Sequence, residues 1–107
     1  TAINQVNDIF DLITEALRDT VANQIIDELL SVAKAGEQIS ALKLGKTYTN
    51  LLVAPDYQSA YVWLSIAQAY GLESASELLS QVADELTLEE ILVQQEQAST
   101  TFSEINS

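Results

Sequence analysis

Apolar residues recur at steps of three and four along nearly the whole chain, and no segment alternates apolar with polar at every second position. A step of three or four keeps side chains on one face of an α-helix, whereas a half-buried strand needs a step of two. The fold class expected is therefore all-α. The first segment shows the pattern, with Ile3, Val6, Ile9, Phe10, Ile13, Ala16 and Leu17 as its apolar set. Asp8, Asp11, Glu15 and Arg18 fall between them and are expected to face water.

Punctuation divides the pattern into about six helices. The first is expected to end near Asp19, with Thr20 capping a second helix that carries Val21, Ile25, Ile26, Leu29 and Leu30. Gly36 stands where a left-handed C-terminal cap belongs. A third helix begins around Gln38 to Ser40 and buries Ala41, Leu44, Gly45 and Tyr48. A mid-helix glycine costs about 1 kcal/mol relative to alanine, so Gly45 is expected where another backbone comes close. Leu51 to Pro55 breaks the chain, because proline cannot continue a helix from before it. Asp56 then caps a fourth helix, about Tyr57 to Tyr70, with Ala60, Trp63, Leu64 and Ala67 on one face and Gly71 at its end. A fifth carries Ala75, Leu78, Leu79 and Val82 to near Leu86. Thr87-Leu88-Glu89-Glu90 reads as a capping box, with hydroxyl and carboxylate each taking the other residue's amide. A sixth helix then runs to about Ala98, and the tail from Ser99 is expected to fray.

The 107 residues suit one domain, 48% of them are apolar, and no apolar run is long enough to cross a membrane. The chain starts at Thr1 and contains no methionine, so an initiator is expected to have been removed by signal cleavage, processing or trimming. With no cysteine there is neither a disulfide framework nor thiol chemistry, which fits an exported protein slightly better than a cytoplasmic one. Net charge is −12 and uneven: residues 1–46 hold seven acids and four basic residues, residues 47–107 nine acids and none. Such a field repels nucleic-acid phosphate and anionic membrane surfaces. It suits solubility or a basic protein partner.

Shifting the chain by 35 residues lays Gly36 on Gly71, Ser40 on Ala75, Leu44 on Leu79 and Leu29 on Leu64. A period in the thirties is that of stacked helical hairpins. Ala41-x-x-Leu44-Gly45-x-x-Tyr48, then Pro55-Asp56-x-x-x-Ala60-x-x-Trp63-x-x-x-Ala67-x-x-x-Gly71-x-x-x-Ala75, resembles the Sel-one-like repeat, a tetratricopeptide-related hairpin common in bacteria. The resemblance covers one repeat and two half repeats, roughly residues 22–86. The Leu86–Ile91 segment is similar to the helix that often closes such arrays. The loop at 50–54 is shorter and more apolar than the family's, leaving Leu51, Leu52 and Val53 as candidate exposed contacts, and Ile66 stands where the family usually has alanine. The resemblance implies antiparallel hairpins stacked as a short right-handed α-solenoid. Residues 1–20 would be an N-terminal capping helix, 21–86 the repeats, and 87–107 a C-terminal cap with a frayed tail. Tyr48 and Trp63 would fill the space between paired helices.

Catalysis is not expected. The chain has no histidine, no cysteine nucleophile, no phosphate-binding glycine loop and no nucleophile elbow. Glu85, Glu89 and Glu90 could gather around the Thr87 turn as an acid–base pair or a cation site, but solvated helix ends explain them more simply. Tyr57, Tyr61 and Trp63 suit a core better than a ligand platform. No cofactor or metal is expected.

The resemblance implies a non-catalytic adaptor or scaffold that binds another protein on its concave face. The candidate contacts are Leu42, Lys46 and Thr49 on the third helix and Glu77, Gln81 and Asp84 on the fifth, all expected to point away from the packing. Alternatives are an inhibitor or immunity protein for a basic toxin or enzyme, a structural fragment of a longer repeat array, and a homodimer formed through the apolar loop or an exposed helix face. Monomer and homodimer both remain open.

Overall fold

A computed structural model of the chain describes the backbone of residues 2–107 and the side chains of residues 5–107. Thr1 and the side chain of Ile3, part of the first apolar set, lie outside the described residues. Among those described there are five α-helices and no strand: α1 (Ala2–Lys34), α2 (Gln38–Asn50), α3 (Tyr57–Ala69), α4 (Glu73–Ala83) and α5 (Leu88–Ile105).

The expected break at Asp19–Thr20 is absent, which corrects six helices to five and makes the N-terminal cap at 1–20 continuous with the helix expected after it. No glycine or proline interrupts residues 2–34. Thr20 does not cap a new helix; its Oγ1 donates to the Ala16 carbonyl at 2.9 Å, as Thr14 does to Phe10. A hydroxyl satisfied one turn back leaves threonine compatible with a helix interior.

The other helix starts obey local chemistry. α2 starts at Gln38, within the expected Gln38–Ser40 range, and Glu37 caps it, its carboxylate accepting from the Ile39 and Ser40 amides. Asp56 caps α3 by accepting from Ser59 N at 3.1 Å and Ser59 Oγ at 2.7 Å. Thr87 and Glu90 form the capping box of α5. That helix does not fray at Ser99. It continues to Ile105 because Ala98 is buried and Phe102 packs on Tyr70, with ring centroids 5.3 Å apart.

Gly36 and Gly71 have φ of 103° and 89°, a region that favours glycine. Around each, the same pair of hydrogen bonds closes the preceding helix. Gly36 N donates to Ala33 O and Glu37 N to Val32 O; Gly71 N donates to Gln68 O and Leu72 N to Ala67 O. Both are Schellman caps, offset by the 35-residue spacing seen in the sequence.

The core centres on α3, which packs against α2, α4 and α5. Trp63 is 5% exposed and Leu64 fully buried. Gly45 is needed because a Cβ there would overlap the Leu64 side chain at Cγ and Cδ2. The close neighbour is therefore a side chain, not the backbone expected. α1 packs against α2. Arg18 and Asp19 pin it to the α2–α3 loop: Arg18 donates from Nε to Leu51 O at 2.8 Å and from Nη2 to Asn50 O at 2.9 Å. Asp19 Oδ1 accepts from Val53 N at 2.9 Å. Arg18 thus binds the loop instead of only facing water. Leu51 and Leu52 are half-buried, so only Val53 of the candidate loop contacts is exposed.

Beyond this clamp the first half of α1 projects from the packed helices. The molecule extends 57 × 29 × 21 Å with a radius of gyration of 16.1 Å. About 13 Å is usual for a compact domain of this length.

Candidate interaction surface

α2 and α4 lie side by side against α3 and touch one another. α2 is oriented by Ala41, Leu44 and Gly45, which it buries, and α4 by Ala75 and Val82. What remains outward differs from the expectation on α2. Leu42 is half-buried and packs against the core, so it does not point away from the packing. Thr49 is half-buried, and its hydroxyl donates to the carbonyls of Gly45 at 3.0 Å and Lys46 at 3.1 Å. Lys46 is exposed, as are Glu77, Gln81 and Asp84 on α4.

A cleft of about 300 Å³ separates the two helices, and it includes Thr49 and Gln81. Tyr57, Leu78 and Glu85 line it as well. Lys46, Glu77 and Asp84 are not among its lining residues; they stand on exposed surface. Tyr57 and Glu85 were not among the expected contacts. Glu85 directly succeeds Asp84 at the end of α4, and Tyr57 succeeds the Asp56 cap, so their proximity to a helix end was the available signal.

α4 also carries exposed acids, two of them adjacent in sequence to cleft-lining residues. Glu73, Glu77 and Asp84 occupy one face, at spacings of four and seven residues, and Glu85 stands at the cleft. Like charges four apart on a helix are mildly destabilising, so α4 bears a small local cost from Glu73 and Glu77.

A larger cleft, about 380 Å³, lies between α3, α4 and α5, with Tyr61, Leu79, Ala98 and Phe102 in its walls. Gln95 Nε2 donates to the Tyr61 hydroxyl at 3.2 Å across its edge. Tyr61 and Trp63 are buried and Tyr57 half-buried, so the three rings do not form an open platform.

Of the carboxylates near Thr87, Glu90 is held in structural hydrogen bonds, while Glu85 and Glu89 are exposed. Glu90 Oε1 accepts from Thr87 N at 2.9 Å and Oε2 from Gln58 Nε2 at 2.6 Å. These bonds, that from the Thr87 amide foremost, hold the Glu90 carboxyl below the ordinary range. Among the described residues no three carboxylates are placed to share a metal ion. Elsewhere, burial first and then the Asp56 and Asp27 carboxylates push the Tyr48 phenol up.

No helix among the described residues is long and apolar enough to cross a membrane. No family model matches the chain, and comparison with curated proteins and with solved structures returns no match.

Proposed function

We propose that this chain is a non-catalytic protein-interaction module whose helices stack as Sel-one-like hairpins and whose α2–α4 side receives a basic protein. The observation that carries the reading is the exposed acidic face of α4 beside the α2–α4 cleft. A cationic partner would relieve the repulsion between Glu73 and Glu77 and gain long-range attraction from the acidic C-terminal half. The repeated Schellman caps at Gly36 and Gly71, and the central position of α3, support the stacked-hairpin part of the reading. An inhibitor or immunity protein directed at a basic toxin or enzyme is the sharper form of the same proposal.

The test compares the immobilised chain with its Glu77→Lys/Asp84→Lys variant as baits, over a series of salt concentrations. The expected result is a basic protein retained by the parent, lost from the variant and released as salt screens the attraction. Retention that ignores both the reversal and the salt would remove the α4 face from the interaction.

A further inference from the structure

α1 carries two apolar stripes on different sides. A helix turns about 100° per residue, so positions along it can be compared around its circumference. In the C-terminal half, Ala22, Ile26 and Ala33 are buried and face α2. Continued toward the N-terminus, that same side passes through Asp19, Glu15, Asp11 and Asp8. Most apolar residues of the N-terminal half, Val6, Ile9, Phe10, Ile13 and Leu17, lie about half a turn away from it, while Leu12, 66% exposed, flanks the acidic side. They are between 55% and 68% exposed.

The packed helices cannot reach this stripe. Arg18 and Asp19 fix α1 to the α2–α3 loop by its acidic side, and the stripe points the other way. Covering it from within the described residues would require breaking α1. Scattered exposed apolar side chains are ordinary, but a continuous row of this length marks a contact surface.

The geometry points to a second copy of this chain as the occupant, bound antiparallel along residues 6–17. Val6, Phe10, Ile13 and Leu17 are spaced by four, three and four, the spacing of a seam between two helices. The polar residues bordering the stripe within this segment are Gln5, Asn7 and Thr14, none of them charged. A basic partner would be met by acids at the border, and an anionic membrane by lysines. Here the acids Asp8, Asp11 and Glu15 are on the reverse side, where two highly acidic chains can approach with their like charges turned outward. Antiparallel pairing sets Val6 against Leu17 of the second copy and Phe10 against Ile13. It also places the two packed bodies at opposite ends, whereas a parallel pair would bring them, each with a net charge of −9 over residues 20–107, side by side. The covered area, with bordering polar atoms, is on the order of 1,000 Å², the lower end of what a specific interface needs. The dimer is therefore concentration-dependent rather than obligate.

Sedimentation equilibrium of the full chain tests this. The expected mass rises with concentration from 11.7 kDa toward twice that value. The dimer gains population as salt rises, because screening removes like-charge repulsion and leaves apolar burial intact. Phe10→Asp/Ile13→Asp abolishes the dimer while leaving the melting of the packed helices in place. Should those aspartates loosen α1, Ile13→Ala keeps the helix and still weakens the dimer. In this cysteine-free chain, Val6→Cys mixed with Leu17→Cys cross-links, and neither does so alone. A monomer at every concentration, or a dimer indifferent to these substitutions, overturns the proposal. A monomer that instead binds phospholipid vesicles through the same residues also overturns it and assigns the stripe to a membrane surface.

Discussion

The two halves of α1 are built from similar residues, but only the second has an apolar side that is buried. From Val21 to Lys34 the helix lies against α2 with Ala22, Ile26 and Ala33 buried, although Val21, Ile25 and Val32 stay exposed. From Val6 to Leu17 its larger apolar side chains are mostly in solvent. The difference arises from the phase of the apolar stripe rather than its hydrophobicity. Amphipathicity makes both halves helical, but only a stripe aligned with α2 can be buried by it. The packed half contributes to folding, and the projecting half is left free for association.

The largest expected effect lies in the packed region. Trp63→Ala should lower unfolding free energy by about 3–5 kcal/mol through cavity formation. Phe10→Ala should change it by no more than about 0.5 kcal/mol in the dilute monomer. Chemical denaturation of both variants measures the contrast, and equal losses would break the comparison by showing that the first half of α1 is part of the cooperative core.

A smaller change should come from the clamp between the halves. Arg18→Ala removes two hydrogen bonds to the α2–α3 loop, worth about 1 kcal/mol together at this exposed position. Hydrogen exchange should show faster opening at Asn50–Val53 and in α1 before residue 18, with α3 unaffected. Uniform acceleration would mean that the clamp supports the entire fold.

The smallest effect should appear in acid. The Glu37 carboxyl is held below its ordinary value of 4.5, chiefly by the Ser40 hydroxyl and then by the Ile39 and Ser40 amides. Glu90 is lowered by the Thr87 amide and by Gln58. A carboxylate whose folded pKa is depressed adds stability that is present above the ordinary value and lost as pH falls through the lowered one. Thermal melts taken from neutral pH downward should therefore decline below about 4.5. Glu90→Gln should flatten part of that decline, and an unchanged profile would exclude this cap as a contributor. Both caps belong to the packed region, so the projecting half of α1 should take no part in this effect.

Several features were legible because their causes are local. Gly36 and Gly71 end helices through a backbone conformation that glycine adopts freely, and Asp56 and the Thr87–Glu90 box start helices with side chains a turn away. The continuity of α1 was not legible. Thr20 can cap a helix or bond back within one, and neighbouring residues do not decide between these. The C-terminal tail misled for a related reason: Ser99, Thr100 and Thr101 have modest helical preference, and α5 persists there through Ala98 and Phe102 against the rest of the fold. On the candidate surface, helix period correctly left Glu77, Gln81 and Asp84 outward, but it missed that Leu42 faces the core from a neighbouring position.

All-helical character, two glycine-closed helix ends and the caps at Asp56 and Thr87 rest on interactions within a few residues, and these are written in the chain directly. Which stripe of α1 is covered, which acids border a cleft and how far α5 extends depend on where distant helices come to rest. Burial is a relation between surfaces, and the spacing along one helix states only that a surface exists. The partner that meets it is set by the phase of every other helix in the packed structure.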